Sequence, residues 1–323
     1  MKAGKKSVAA GFIQQSAIRF GLGMASLTIA LASLAATVQA QAQKPTIEVP
    51  FEFVHNQIVV DAKINGKGPF KMLLDTDTDP SAIDSAAAQE LGLAVGQKGY
   101  PTTGGGTDEN PSHLSTLNVV EVGTISAKQV TAAVLDLSKL AKQMGGPVRG
   151  VLGYSFLKDR IIQIDYANLK VRFFTDSPYP RIQLAPNTVN TIALAFKRED
   201  GNVIVDSVFV NNEKMRATLD TGSSGSFSVM PEAAALLRLD ENAIDGETET
   251  SVGYNGEYQQ KKAVLKSVRI GRYAAEGVQA SFFLPKTGHD NKPYQVNIGN
   301  AFFQDFLMTF DFKNKIVVFE RVD

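Results

Sequence analysis

The chain has no cysteine, no tryptophan and only 3 histidines, and its 33 basic side chains are balanced by 33 acidic ones. Without cysteine there is no disulfide scaffold, no thiol nucleophile and no thiolate metal site. His55, His113 and His289 are scattered along the chain, with none of the short spacings of a histidine metal site, so no metal is expected. A balanced charge lacks the positive excess that nucleic acid requires. No acidic residue precedes Glu48, whereas Lys2, Lys5, Lys6 and Arg19 make the start basic. An apolar run from Leu22 to Ala36 follows, ending in Val38-Gln39-Ala40.

That order of basic start, apolar run and small residues predicts a signal peptide over residues 1–40. The alternative is a retained membrane anchor, since the run is slightly short of the about 20 apolar residues a span needs. Without those four basic residues the remainder is mildly acidic. No later segment is long and apolar enough to span a membrane. A secreted chain without disulfides suits a bacterial periplasm, so the expected location is periplasmic or secreted, with no stable membrane association after cleavage.

What the chain does have is one word said twice. Leu73-Leu74-Asp75-Thr76-Asp77 and Thr218-Leu219-Asp220-Thr221-Gly222 lie 145 residues apart, as 220 − 75 shows. Each is followed by the same closing phrase, GVLGYSFLKDRIIQIDYANLKVRFF from Gly150 and VNIGNAFFQDFLMTFDFKNKIVVFE from Val296. Solenoid repeats have periods of about 20–50 residues, so this longer one marks a duplicated half-domain. The expected organisation is residues 41–180 as one lobe and 181–323 as the other, with the Pro-rich stretch Ser177–Thr191 as the crossing.

Both halves read as mostly β. Asn65-Gly66 and Asn211-Asn212 are hairpin turns, and Phe70–Leu74 and Met215–Leu219 are short apolar runs into each aspartate. Helices are expected over Ser85–Leu93 and over Pro231–Leu239, the latter with proline at its first position. Pro101–Pro111, with Gly104-Gly105-Gly106, reads as a mobile loop, and Ser251–Gln260 occupies the matching place. Asp165 and Asp311 recur before turns and read as structural. Ser155 follows Gly153-Tyr154, but no glycine stands at 157, so the serine-hydrolase elbow pattern fails.

An aspartate on a turn directly after an apolar strand is lifted out of its sheet, and a threonine beside it can brace the corner. If two such corners meet across a pseudo-twofold axis, their carboxylates cannot both ionise and hold one proton between them. One is then a general base for water and the other a general acid for a carbonyl.

LLDTDTD, TLDTGSSGSFSV, GVLGYSFL and NIGNAFF resemble the bacterial periplasmic aspartyl proteases of retropepsin-like fold, in a two-copy form laid out like pepsin. The resemblance covers nearly all of residues 47–323. It implies an all-β, two-lobed chain with a cleft between lobes, and an endopeptidase that needs no cofactor. Asp75 and Asp220 would be the catalytic pair, with Thr76, Thr221 and Gly222 supporting them. Its partner would be a peptide or protein substrate, and a monomer would be complete.

Val151-Leu152-Gly153 fits the family's apolar-apolar-glycine segment, whereas Asn297-Ile298-Gly299 puts a polar residue first. The loops near Gly104 and Gly253 would be flaps, with Tyr254 or Tyr100 as candidate flap tyrosines. Asp77 stands where the family has glycine, so the expectation is a strained turn or a third carboxylate crowding the pair. Two other readings stay open: a peptide-binding relative that has lost the chemistry, and a homodimer pairing Asp220 with its own symmetry mate.

Overall fold

Two hairpins begin the two lobes in the same way. In the computed structural model, strands Gln57–Ile64 and Lys67–Leu74 are joined by Asn65-Gly66, with φ of 52° and 79°. Strands Asn202–Val210 and Glu213–Leu219 are joined by Asn211-Asn212, with φ of 50° and 70°. A two-residue turn with both φ positive matches the strands' twist, and asparagine and glycine tolerate that conformation best. The structure describes residues 47–101, 104–178, 190–239 and 243–321. The expected signal peptide and most of the expected crossing between halves lie outside them.

Each lobe builds an eight-stranded sheet of one topology. In the first, the order is Glu52–Val54, Gln57–Ile64, Lys67–Leu74, Val148–Leu152, Ser81–Asp84, Ile125–Leu135, Ser112–Val122, Val95–Tyr100. In the second it is Lys197–Glu199, Asn202–Val210, Glu213–Leu219, Val296–Ile298, Phe227–Val229, Tyr273–Phe283, Gly256–Ile270, Ala243–Gly253. An extra pairing curls each sheet on itself, Ala62 with Val122 in one and Val208 with Ile270 in the other.

A third sheet of six strands joins the halves. The closing phrases meet there, as Ile161–Asp165 pairs antiparallel with Phe306–Asp311. Gln163 faces its own repeat mate Thr309 in that register, and its Nε2 donates to the threonine hydroxyl at 3.0 Å. The pseudo-twofold axis therefore passes between these two residues. Around it lies the main core, in which Phe156, Phe303, Phe310 and Phe319 are fully buried. Each such side chain contributes roughly 1.5–3 kcal/mol through removal from water.

The helices are short. Ser85–Leu91 is capped by Asp84, whose carboxylate accepts from the Ala86 and Ala87 amides, and it stops at Gly92 with φ 65°. That left-handed glycine ends the helix two residues before the expected boundary. Pro231–Leu236 likewise ends earlier than expected, with Pro231 in its first turn. Asp165 and Asp311 do the same turn-closing work, accepting from Asn168 N and Nδ2 at 3.0 and 2.8 Å, and from Asn314 N and Nδ2 at 2.9 and 2.8 Å.

The expected mobile loop is held in place over its described part. Gly106 N donates to Thr287 O at 3.0 Å and Asp108 N to Asn255 O at 2.8 Å, while Asn255 N donates back to Gly105 O at 2.9 Å. Its matching segment in the second lobe is a hairpin, Ala243–Gly253 with Gly256–Ile270, whose turn is Tyr254-Asn255.

Candidate active site

The parallel pairing of Lys67–Leu74 with Val148–Leu152, and of Glu213–Leu219 with Val296–Ile298, delivers both aspartates to one place. Asp75 N donates to Leu152 O at 3.1 Å, and Asp220 N to Ile298 O at 2.9 Å. Directly after each aspartate the lobes exchange hydroxyls. Thr76 N donates to Thr221 Oγ1 at 3.0 Å and Thr221 N to Thr76 Oγ1 at 3.1 Å. Each hydroxyl then donates onward to the carbonyl before the other aspartate, Thr76 to Leu219 O at 2.8 Å and Thr221 to Leu74 O at 2.9 Å. Both threonines are fully buried. Four mutually satisfied hydrogen bonds away from water fix one turn against the other.

Further braces cross between lobes. Gln57 Nε2 donates to Gly222 O at 2.7 Å, and Asn300 Nδ2 donates to Asn56 O at 2.8 Å as well as to Thr221 O of its own lobe at 2.6 Å. Arg198 lies over the Tyr154 ring at 4.0 Å and donates to Thr76 O at 2.9 Å. Arg198 and Gln57 lie in no motif that would single them out in the sequence, and Asn300 falls within NIGNAFF without a role of its own there, because each acts through a partner more than 70 residues away.

The structure brings Asp75, Thr76, Asp77, Asp220, Thr221 and Gly222 together. Asp77 N and Gly222 N each donate at 2.7 Å to the Oδ1 of the aspartate two residues earlier. Neither residue has a positive φ, so the expected backbone strain at Asp77 is corrected: glycine at this corner is a matter of space. A Cβ on Gly222 would overlap the Asp75 carboxylate and come within 3.0 Å of Asp220 Oδ1. The two carboxylates thus crowd one side of Gly222. At Asp77 the side chain turns to the second lobe, where its Oδ1 accepts from Val203 N and from Thr218 Oγ1, both at 2.7 Å.

The electrostatics follow from burial and like charge. Burial first, then Asp75 and then Asp77, push the Asp220 carboxyl well above the usual carboxylate range, against the pull of Asn297 and the Gly222 amide. Burial pushes Asp77 up to about 7, with Asp75 adding to it, while Thr218, Val203 and Arg198 pull it back.

The two carboxylates are dressed differently. Asp75 Oδ2 accepts from Thr78 Oγ1 at 2.5 Å and from Tyr254 OH at 3.3 Å. Asp220 Oδ2 accepts from Asn297 Nδ2 at 2.7 Å. Tyr254, at the hairpin turn of the second lobe, therefore reaches the first lobe's aspartate. Tyr100 only approaches Asp79 O, at 3.5 Å. Over the pair, Gly104 lies against the Tyr254 ring, and a Cβ on Gly105 would stand 2.9 Å from the His289 ring. Among the described residues, no group of three or more His, Asp or Glu side chains is placed to hold a metal ion.

The aspartyl protease family matches this chain twice, over residues 60–156 and 205–302. Those matches span more than half of the chain and each contains one aspartate turn, so the chain belongs to that family. Among solved structures it is similar to a retropepsin-like aspartic protease from Rickettsia conorii, at 23% identity over 41% of this chain and 90% of that one, with a TM-score of 0.31. It is also similar to Basic 7S globulin from soybean, at 11% identity over 85% of this chain and 94% of that one, with a TM-score of 0.44. Among curated proteins no match is found.

Proposed function

We propose that the protein is an aspartic endopeptidase in which Asp75 and Asp220 form the catalytic pair. The observation that carries this reading is the reciprocal Thr76–Thr221 exchange, which holds two carboxylates against one glycine corner. Membership of the aspartyl protease family supports it. One carboxylate, ionised, takes a proton from a water, whose oxygen bonds to the peptide carbonyl carbon. The other gives its proton to the carbonyl oxygen, and a tetrahedral diol forms with no covalent link to the protein. Proton transfer to the amide nitrogen then breaks the C–N bond, releasing an amine and a carboxylic acid and returning the pair to its single proton.

Each lobe supplies one aspartate, so one chain would suffice. The basic start and apolar run of residues 1–40 support a peptide or protein substrate met outside the cytoplasm. A second reading, a cleft that binds peptide without cutting it, is favoured by Asp77, whose charge beside the pair makes the reactive ionisation harder.

The test is cleavage of an unfolded protein by the parent, Asp75→Ala and Asp220→Ala, with folding checked by circular dichroism. Each substitution should lower the rate by about 100-fold or more, as expected for loss of a general acid or base. Parent-like cleavage by either variant overturns the assignment. A folded parent that binds peptide but never cuts it supports the second reading.

A further inference from the structure

Strand Val296–Ile298 lies beneath the Asp220 turn as Val148–Leu152 lies beneath Asp75, and both pair in parallel with the strand that leads to an aspartate. Within that shared register Thr218 faces Asn297, and Leu73 faces Val151. One lobe thus has an amide where the other has a fully buried valine. Asn297 Nδ2 donates to Asp220 Oδ2 at 2.7 Å, while its Oδ1 is buried with no hydrogen-bond partner. A half-satisfied buried amide is costly, and an apolar residue of the kind in the first lobe avoids that cost. Packing does not explain its presence; the contact with Asp220 does.

We propose that Asn297 is a positioning residue that fixes the Asp220 carboxylate and favours its ionised form. The proposal rests on the reading of Asp75 and Asp220 as the catalytic pair. An NH2 group can only donate, so it matches an unprotonated Oδ2 and opposes a protonated one. With Gly222 N on Oδ1 at 2.7 Å, both Asp220 oxygens accept from a fixed donor. The two carboxylates that face Asp220 from the first lobe, Asp75 and Asp77, work the opposite way. Tyr254 and Tyr258 from the hairpin and Tyr294 from the segment before Val296 also face it, and their phenols, which Asp220 helps to push up, stay neutral and add no charge. The cations nearby, Arg198 and Lys292, act on Asp77. Asn297 is therefore the side chain that keeps Asp220 ionisable among like charges.

The experiment compares the parent, Asn297→Val and Asn297→Thr in two readouts. One is the pH profile of kcat/KM on a peptide. The other is the carboxyl titration of Asp220 by NMR on carbon-labelled aspartate, assigned with Asp220→Asn. Asn297→Val should move the acid limb and the Asp220 titration upward together by about one pH unit, the shift expected for losing a hydrogen bond to the charged form. Asn297→Thr, shaped like valine but keeping a hydroxyl, should move both less, and it serves alone should Asn297→Val not fold. A uniform loss of rate with both readouts unmoved overturns the proposal, as does a downward shift, which would mean that Oδ1 faces a protonated Asp220. A parent that cleaves nothing defeats the proposed activity, while the NMR titration still decides the role of Asn297.

Discussion

The two aspartate turns share a backbone and differ in almost everything that touches their carboxylates. Asp75 receives two hydroxyls, from Thr78 and Tyr254, and has Asp77 next in its loop; Asp220 receives the Asn297 amide and has Gly222. Below the carboxylates the match is close, since each threonine makes the same two bonds to the other lobe within 0.1 Å. Duplication supplied a symmetric frame, and the side chains around it make the two acids unequal. Unequal acids suit a pair in which one is to give a proton while the other takes one.

The sharpest way to break this comparison is to give both corners a methyl group. Gly222→Ala places a Cβ inside the Asp75 carboxylate, so kcat/KM should fall by about 100-fold, as expected for roughly 1 Å of displacement at a reacting group. Asp77→Ala adds no atom at the same place in the other lobe and should cost clearly less. Equal losses in a peptidase assay would show that the corners are alike.

The shared frame makes the opposite prediction. Thr76→Val and Thr221→Val each leave a buried amide and a buried carbonyl of the partner lobe unpaired, so each should lower unfolding stability by about 2–3 kcal/mol. Urea melts should give the two variants similar losses, and the double variant less than their sum, because the four bonds form one network. A large difference between the single variants would mean that one lobe carries the junction.

Asp77 should make stability depend on pH. Its carboxyl lies at about 7 when folded, against about 3.9 in an unfolded chain. A raised carboxyl contributes stability that is fully present below the unfolded value and is lost as pH rises through the folded one. From pH 4 to pH 7 the parent should therefore lose stability relative to Asp77→Asn, on the order of 3 kcal/mol. Denaturant melts at pH 4, 5.5 and 7.5 would read this, and parallel curves for the two proteins would remove Asp77 from the account. The smallest effect belongs to Tyr254→Phe, which loses one long hydrogen bond to Asp75 and one of 3.0 Å to Thr78. It should change KM by a few-fold with little loss of stability, about 1 kcal/mol or less.

Some of these features were legible in the chain and some were not. Asn65-Gly66, Asn211-Asn212 and Pro231 announce their turns and helix start through local backbone preference, and the structure has them in those places. The apolar pattern predicts a longer first helix because leucine continues it past Gly92, which stops the helix through its conformation. In isolation the glycines around Gly104 look free and predict a mobile loop. Those glycines instead provide the close approach to Tyr254, Asn255 and Gly288, where a side chain would not fit. A charged residue in place of the corner glycine predicts strain at Asp77, yet its φ is ordinary and its carboxylate is bound by Val203 and Thr218.

The sequence by itself determined the duplication, the β-rich halves and the two Asp-Thr corners, because each is encoded in short stretches whose pattern needs no partner to be read. Tertiary structure alone decided that Tyr254 of one lobe meets Asp75 of the other, that Arg198 and Gln57 brace opposite turns, and that the Asn297 amide reaches the Asp220 carboxylate. Those contacts join residues 77 to 179 positions apart. Hydrogen bonding acts over about 3 Å whatever the distance along the chain, so only the pairing of the two halves could bring them into reach.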